Sequence, residues 1–533
     1  MLGHRVLVFA SIFALGCNSG SRSRGPNNND GSDGGTPAMQ AMQNVIAPGA
    51  PPDAPNQFGG PSSPQAAPQI VYPPDGVLMP ANIDMLEVQF IPAQGTNLFE
   101  IDFVSPTLAL SVYTPCTSVG PGCSYLPDEQ TWKLISDNGR GATTKISIRA
   151  TTLGGGAPVG ASGTQSMLFT DEDLQGGLYY WAAASGGIYR YDFGLRGQTA
   201  ETFYTPAQAG GGTMCVGCHA LSHDGTRIAV GLNVPGPATL RVLDVATRAT
   251  LYESASSIFG GTGGSNFEAL SPDASTVIAQ SGNDLALFDA QSGAAIGSGP
   301  AIANGTMPDW SADGKSIVFA RSAMAAPCIM GLCTSQPGVD GASLFLASVS
   351  GSTVGAPTQL VTGGGNNYYP SFSPDGQWVA FNRSAQNSYD APDARVMVAG
   401  TQGSAPIDLA TVNGTLGNSW PKFAPFVQHF GGRTIFWITF SSRRDYGIRL
   451  QNSTSSMPTA QLWMVGFSPD SNETGPTSYP PFWLPFQDIT TGNHIAQWTQ
   501  TVVRQPCDSG SPDPGCMPGE ICMNDQCVPK PIM

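Results

Sequence analysis

Residues 371–382 read SFSPDGQWVAFN, and this stretch decides the fold. Asp375 and Gly376 stand at its centre, with apolar residues on both sides. An acidic side chain can hydrogen-bond to the backbone of a turn, and glycine adopts the required backbone angles at little steric cost. The stretch therefore predicts two antiparallel strands joined by a tight turn.

The same S-x-D turn recurs in three further segments, and repeats of this kind define a fold. The segments are ALSHDGTRIAVG from Ala220, ALSPDASTVIAQ from Ala269 and DWSADGKSIVFA from Asp309. In the last of them Ile317 and Phe319 alternate with other residues, as expected of a second strand. A third strand follows in each unit: LRVLDVAT, LALFDAQSG, LFLASVSG and RVMVAGTQ. The spacing of about 40 to 60 residues is typical of four-stranded propeller blades.

A fifth, degenerate unit contains PKFAPF, RTIFWITFSS and QLWMVGF. With the S-P-D-G turn at Ser373 to Gly376, residues 186–500 resemble the TolB-type β-propeller. The resemblance implies six blades and a role as a binding platform, not a particular activity. For the sixth blade we expect GIYRYDFG and AETFYT as outer strands and FWLPFQD and NHIAQWT as inner strands, so that both ends of the chain close the ring.

Residues 67–185 predict a separate domain of about seven short strands: MLEVQF, LFEIDF, LALSVYT, TWKLI, KISIR, SMLFT and GLYYWAAA. In MLEVQF the apolar Leu86, Val88 and Phe90 alternate with Glu87 and Gln89, which indicates one buried and one solvated face. The predicted fold class is thus all-β, an N-terminal immunoglobulin- or fibronectin-like β-sandwich followed by a six-bladed β-propeller.

Composition agrees with this class and excludes one class of partner. The 533 residues include 66 Gly and 45 Pro, and only 11% are charged, which suits a protein of many strands and turns. The formal net charge is −15, and no cluster of Lys and Arg is present to contact phosphates. We therefore expect no nucleic-acid partner.

The N-terminus predicts export. Residues 1–17, MLGHRVLVFASIFALGC, combine a basic start, a short apolar run and small residues before Cys17. The sequence from Ala14 to Cys17 resembles the lipobox of bacterial lipoproteins, which implies lipid attachment at Cys17 and a place in the outer membrane, on the periplasmic or the surface side. Ordinary signal cleavage is the alternative, because Ala14 stands where the family prefers Leu. Residues 18–66 are poor in residues that can be buried and predict a flexible linker.

The strongest chemical motif is CVGCH, residues 215–219. At this spacing Cys215 and Cys218 can form thioethers with the vinyl groups of a haem, and His219 can bind the iron. We therefore expect one c-type haem. The alternative is a Cys215–Cys218 disulfide with no role for His219.

The remaining cysteines predict disulfides, as in other exported proteins. Cys116 and Cys123 form one close pair and Cys328 and Cys333 another. The tail, residues 501–533, carries four more, for which two disulfides are expected and zinc is not: Cys507, Cys516, Cys522 and Cys527.

A second iron ligand is expected at His494, on a predicted strand of the closing blade, with Met307 and His429 as weaker candidates. The turn aspartates recur with the blades and are predicted to shape turns. No hydrolase, metalloprotease or phosphate-binding motif is present. We expect an electron carrier or a redox-linked binding protein rather than an enzyme. The alternative is a non-catalytic scaffold whose propeller face binds a protein or cell-wall material.

Overall fold

The computed structural model describes residues 43–195, 199–233, 239–254, 267–281, 284–297, 301–322, 324–325, 339–385, 387–388, 390–470, 475–511, 515–516 and 520–530. Within these residues it contains a six-bladed propeller, as the repeats predicted. Each inner strand contacts the inner strand of the next blade, and that of the sixth contacts that of the first, so the ring is closed.

The six blades are numbered along the ring. Blade 1 comprises Cys215–Leu221, Arg227–Asn233, Thr239–Asp244 and Thr250–Glu253. Blade 2 comprises Glu268–Leu270, Thr276–Ser281, Asp284–Asp289 and Ala295–Ile296. Blade 3 comprises Gly305–Trp310, Ser316–Arg321, Ser343–Ser350, Thr353–Val354 and Thr358–Val361, with a small hairpin of Met324–Ala325 and Val339–Asp340 beside it. Blade 4 comprises Asn366–Phe372, Trp378–Ser384, Arg395–Gly400 and Ile407–Asp408. Blade 5 comprises Asn418–Phe430, Arg433–Ser442, Gln461–Ser468, Thr477–Ser478 and Phe482–Trp483. Blade 6 comprises Asn493–Thr499, Gly177–Ala182, Gly187–Asp192 and Glu201–Tyr204.

Blade 6 closes the ring in a different way from the prediction. Only Asn493–Thr499 comes from the C-terminal side, and it pairs with Gly177–Ala182, which we had placed in the sandwich. Phe482–Trp483, expected as an inner strand, pairs instead with the third strand of blade 5, Trp483 opposite Trp463. Both strands are short apolar runs, which a sheet of either domain can bury. Their sequences therefore do not predict the strands with which they pair.

The S-x-D turns share one hydrogen-bond pattern, which confirms that their aspartates shape turns. In blade 3 the Ser311 hydroxyl donates to Asp313 at 2.6 Å and accepts the Ser316 amide at 2.9 Å. The Lys315 amide donates to Asp313 at 3.0 Å. These bonds replace the backbone partners that the chain loses where it reverses direction. All four turns lie at the end of the propeller where the inner strands finish, called here the turn side.

The N-terminal domain is a sandwich of two sheets. The larger sheet follows the order Gln43–Ile46, Leu108–Pro115, Leu98–Ser105, Thr143–Thr151, Gln165–Phe169 and Val77–Met79, with Gly160–Ala161 beside Thr143–Thr151. The smaller sheet follows the order Gln69–Tyr72, Val88–Ile91, Gly122–Tyr125 and Thr117–Val119. Phe90 and Phe99 meet between the sheets with their ring centres 4.7 Å apart.

Two sequence expectations for this region are corrected. Residues 43–66, part of the predicted flexible linker, include a strand that pairs parallel with Leu108–Pro115 and short 3₁₀ turns at Ala54–Phe58 and Pro64–Ala66. Phe58 is buried there against Tyr113 and gives the segment an anchor. The predicted strand TWKLI lies in an α-helix, Glu129–Asn138.

The helix forms because Asp128 caps it, accepting the Thr131 amide at 2.8 Å. Trp132 and Ile135 then lie on one face and are buried in the sandwich core. Two other α-helices are single turns, at Pro206–Ala209 and Ala410–Asn413, and a further 3₁₀ turn spans Asn452–Thr454.

The sandwich packs on blade 5 with a continuous apolar core. Glu87 and Gln89, predicted to face solvent, are both buried at this junction. Glu87 pairs with Arg449, and Gln89 accepts the Ile448 amide at 2.8 Å. The alternation in MLEVQF therefore separates an apolar face from a polar interface, not from water.

Disulfides join Cys116 to Cys123, Cys507 to Cys522 and Cys516 to Cys527, which confirms the sandwich pair and the two bonds of the tail. The tail strands Glu520–Met523 and Gln526–Pro529 form a hairpin, and each strand carries one cysteine of a tail disulfide. Cys17, Cys328 and Cys333 lie outside the described residues. No helix among the described residues is long and apolar enough to span a bilayer.

Candidate functional site

The inner strands bulge at equivalent positions around the propeller axis. At each bulge the register shifts and one residue takes a left-handed backbone, which is uncommon for residues other than glycine. These residues are Cys218 (φ 43°), Met307 (φ 53°), Tyr369 (φ 50°), Trp420 (φ 55°) and Ile495 (φ 55°). In blade 2 the matching position, four residues before the turn serine, is Phe267. We call this set of six the axial ring.

A cavity of about 100 Å³ extends from the axial ring to the turn side. The residues that line it come from all six inner strands, and each lies at the ring or between the ring and the turns. The ring is therefore the floor of the cavity and the turns surround its mouth. Cys218 contributes to the floor, whereas Cys215 lies on the other side of the ring.

Charged groups cross this cavity. The Lys422 ammonium of blade 5 pairs with Asp309 of blade 3, and the Phe372 amide of blade 4 donates to Asp309 at 2.8 Å. His223 lies near both charges, and burial lowers its pKa. The Asp309 carboxylate thus links blades 3, 4 and 5 at the cavity.

The CVGCH segment begins the inner strand of blade 1, Cys215–Leu221. Cys215 and Cys218 are both free thiols, so the structure does not contain the alternative disulfide. Burial raises the pKa of Cys215, and it raises the pKa of Cys218 to about 12, assisted by the nearby Glu268 carboxylate. Every other cysteine among the described residues is in a disulfide.

His219 is 2% exposed, and its two ring nitrogens differ. Nε2 lies 3.2 Å from the carbonyl oxygen of Tyr179, and because a carbonyl only accepts, Nε2 carries the proton. Nδ1 is buried and has no hydrogen-bond partner in the described part of the chain. Burial lowers the pKa of His219 to about 4, so the ring is neutral and Nδ1 holds a free lone pair. A metal-ligating histidine is commonly held in this way, with its other nitrogen donating to a backbone carbonyl.

His494 lies on the neighbouring inner strand, Asn493–Thr499. It is paired with Trp181, and the two rings are 5.8 Å apart. The Trp181 indole also lies near Cys215, where it partly opposes the effect of burial on the pKa of that thiol, although its N–H makes no hydrogen bond among the described residues. Burial lowers the pKa of His494 to about 4, assisted by Arg443. The structure thus brings His494 to the region of Cys215 with an indole next to both. Of the weaker candidates, Met307 belongs to the axial ring, and His429 lies at the surface paired with Glu172 at 2.6 Å.

The donor atoms fit a c-type haem, but the cavity does not enclose one. Two thiols and an imidazole lone pair are present at the required spacing. Cofactor pockets typically measure about 300–1,000 Å³, which is several times the volume found here. Attachment of a haem therefore requires the chain around Cys215 to open. The only group of ligand atoms close enough to hold a metal ion among the described residues consists of Cys507, Cys516 and Cys527, which are in disulfides.

One sequence signal of the site was not used in the prediction. In three blades the left-handed residue is followed by proline, in Met307-Pro308, Tyr369-Pro370 and Trp420-Pro421. Two of these pairs, Met307-Pro308 and Tyr369-Pro370, begin four residues before a turn serine, as Cys218-His219 does before Ser222, so alignment on the serines would have marked the position at which blade 1 carries His219.

Comparison with known proteins concerns the fold alone. No protein-family model and no curated protein matches the chain. Among solved structures, TolB from Acinetobacter baumannii is similar at 12% identity, covering 72% of this chain and 83% of that one, with a TM-score of 0.34. A candidate TolB from Agrobacterium tumefaciens has 14% identity, 61% and 99% coverage and a TM-score of 0.31. Hydrazine synthase from Kuenenia stuttgartiensis has 12% identity, 58% and 96% coverage and a TM-score of 0.29.

Proposed function

We propose that this protein is an exported propeller that carries one covalent c-type haem at Cys215 and Cys218 and transfers electrons at the cell envelope. His219 would bind the iron through its free ring nitrogen. The haem would supply one-electron redox chemistry. The protein would hold the haem by two thioethers and fix the imidazole through the Tyr179 carbonyl.

A single observation carries this proposal. Cys215 and Cys218 are unpaired in a chain whose other described cysteines form disulfides, and they lie next to an imidazole with a buried, unpaired lone pair. An unpaired buried acceptor is costly, by about 1–3 kcal/mol, unless a ligand satisfies it. A haem would use all three groups together.

The test is expression of the full chain in a host that attaches c-type haem. We expect a haem absorption band that stays with the protein after denaturation and extraction. A Cys215→Ser, Cys218→Ser variant should lose it, and a Cys116→Ser, Cys123→Ser variant, which also removes two cysteines, should keep it. Absence of covalent haem in the wild type would overturn the proposal.

We propose His494 as the second iron ligand, since it is a neutral, partly buried imidazole on the adjacent inner strand. Its replacement in His494→Ala should change the spectrum of the haem-loaded protein without removing the haem. His429→Ala is the matched control, because His429 is exposed and paired with Glu172. An unchanged spectrum in His494→Ala would exclude this ligand.

A second candidate function is binding of a protein partner at the propeller face opposite the turn side. Three large apolar side chains are exposed in loops at this end, Met214, Leu416 and Met457. Exposed apolar groups that gather on one face are typical of interaction surfaces. Replacement of Met214 and Leu416 by Asp should abolish crosslinking to a partner in intact cells, while replacement of the exposed Leu153 and Val104 in the sandwich should not.

We also propose a lipid anchor at Cys17, supported by the lipobox resemblance, as the attachment to the outer membrane. The mature protein should incorporate labelled fatty acid, and a Cys17→Ala variant should not. Incorporation that persists in the variant would exclude this site.

A further inference from the structure

We infer that the turn-side cavity binds a saccharide ring, a neutral ligand with several hydroxyl groups. The cavity borders the CVGCH segment, since Cys218 and His219 line it, but the inference does not depend on a haem. It uses the aromatic floor of the cavity, the hydrogen-bonding groups on its wall and the balance of their charges.

The floor offers a flat aromatic face. Trp420 stacks on Tyr369 with ring centres 3.7 Å apart and planes at 16°, and Phe267 lies 5.9 Å from both. Trp420 is only partly buried, and it lines the cavity together with Tyr369. The C–H groups on one face of a sugar ring pack against such a surface, which carries partial negative charge on its face.

The wall offers both donors and acceptors that protein groups leave unused. Lys422 has three N–H donors, and among the described residues its ammonium contacts Asp309. The His223 ring, which burial keeps neutral, supplies one donor and one acceptor. A hydroxyl group both donates and accepts, so a polyol matches this mixed set better than a ligand that only donates or only accepts.

The charges of the cavity disfavour ionic ligands. An anion attracted to Lys422 would approach the carboxylates of Asp309 and Glu268, and a cation attracted to those carboxylates would approach Lys422. The existing pair already satisfies most of each charge. A neutral polyol can accept from the Lys422 ammonium and donate to Asp309 without separating them.

The test is saturation-transfer NMR on the full chain with four probes: glucose, N-acetylglucosamine, acetate and tetramethylammonium. We expect transfer to at least one sugar and to neither ion. Trp420→Ala should weaken the sugar signal about tenfold, since it removes the stacking face. Trp378→Ala is the matched control, because Trp378 packs on Phe467 away from the cavity and should bind as the wild type does.

Lys422→Met provides a second variant that keeps the length of the side chain while removing the N–H donors. The inference is overturned if neither sugar shows transfer, if acetate or tetramethylammonium is the preferred probe, or if folded Trp420→Ala and Lys422→Met proteins both bind as strongly as the wild type. None of these outcomes affects the test for covalent haem.

Discussion

His219 occupies a position that proline fills in three other blades. Pro308, Pro370 and Pro421 each follow a left-handed residue of the axial ring, as His219 follows Cys218. Proline suits this position because its backbone angle is fixed and it needs no N–H partner. A buried histidine with an unsatisfied nitrogen is less favourable for stability there, which supports a functional reason for its presence.

The two thiols of CVGCH should differ in reactivity in haem-free protein. Because the pKa of Cys218 is raised to about 12 and its thiol is buried, almost no thiolate forms at pH 8, whereas Cys215 is less buried. Iodoacetamide should modify Cys215 first and Cys218 only after unfolding, as read by peptide mass spectrometry. Equal rates in the folded protein would contradict the structure.

The buried histidines should make stability depend on pH. Burial lowers the folded-state pKa of His223, as it does for His219 and His494, so the unfolded chain takes up protons first as pH falls below about 6.5. Stability is thus complete above that pH and declines below it. Asp309, Lys422 and Asp224 are the charged groups that act on His223.

A His223→Gln variant should therefore lose less stability between pH 7 and pH 5 than the wild type in urea unfolding. The difference between the two losses of stability measures the contribution of His223 alone. Asp309 and Asp224 partly oppose the effect of burial on its pKa and so reduce this contribution. A loss equal to or greater than that of the wild type would show that His223 takes up its proton in the folded state.

Among the elements, the helix Glu129–Asn138 rests on its cap. Asp128→Ala should lower the free energy of unfolding by about 1 kcal/mol, since it removes the acceptor for the Thr131 amide. Asp137→Ala, within the same helix but partly exposed, should cost less than about 0.5 kcal/mol. Urea unfolding measures both, and equal losses would show that the cap does not hold the helix.

The elements also show how far sequence reasoning reaches. The S-x-D turns are local, since Ser311, Asp313 and Ser316 satisfy one another, and so the blades could be predicted from short segments. Gly177–Ala182 and Phe482–Trp483 could not be assigned, because their pairing partners are distant in the chain. The segment from Thr131 to Ile135 has the alternation of a strand, but it forms a helix because Asp128 caps its N-terminus.

The sequence predicts the residues of the candidate site but not what surrounds them. The spacing of CVGCH predicts a haem, whereas the approach of Tyr179 and Trp181 depends on a strand that crosses from the sandwich side to pair with the C-terminal strand. The cavity combines one residue or more from every blade. No local sequence pattern predicts that residues so distant in the chain line one cavity, although the three residue–proline pairs indicate part of the axial ring.

At the scale of the whole molecule, Arg504 stabilises the blade that closes the ring, blade 6. Its guanidinium is 3% exposed and pairs with Asp192 and Glu201 of blade 6, each at 3.0 Å. Arg504→Ala would leave two partly buried carboxylates with fewer partners and should cost about 3 kcal/mol, the low end of the loss for a broken buried pair. Arg395→Ala, which breaks an exposed pair with Asp408, should cost less than about 1 kcal/mol.

Thermal unfolding of the two variants measures this difference. Arg190 still contacts Glu201 when Arg504 is replaced, so the protein should fold and a melting temperature should be measurable. If Arg504→Ala and Arg395→Ala lose the same amount, the contact beside blade 6 does not contribute to closure.

The order in which the chain is made gives the closing strand a role in timing. Cys215 is synthesised well before Asn493–Thr499, with blades 2 to 5 still to follow. Until that last strand arrives, the ring has a gap beside blade 1, and the thiols lie at an unfinished edge. For the proposed haem, this interval would give an attachment enzyme access to CVGCH, and the access would end when the final strand enters the ring. A haem attached during this interval would be in place before the last strand folds, so the final blade would pack around it.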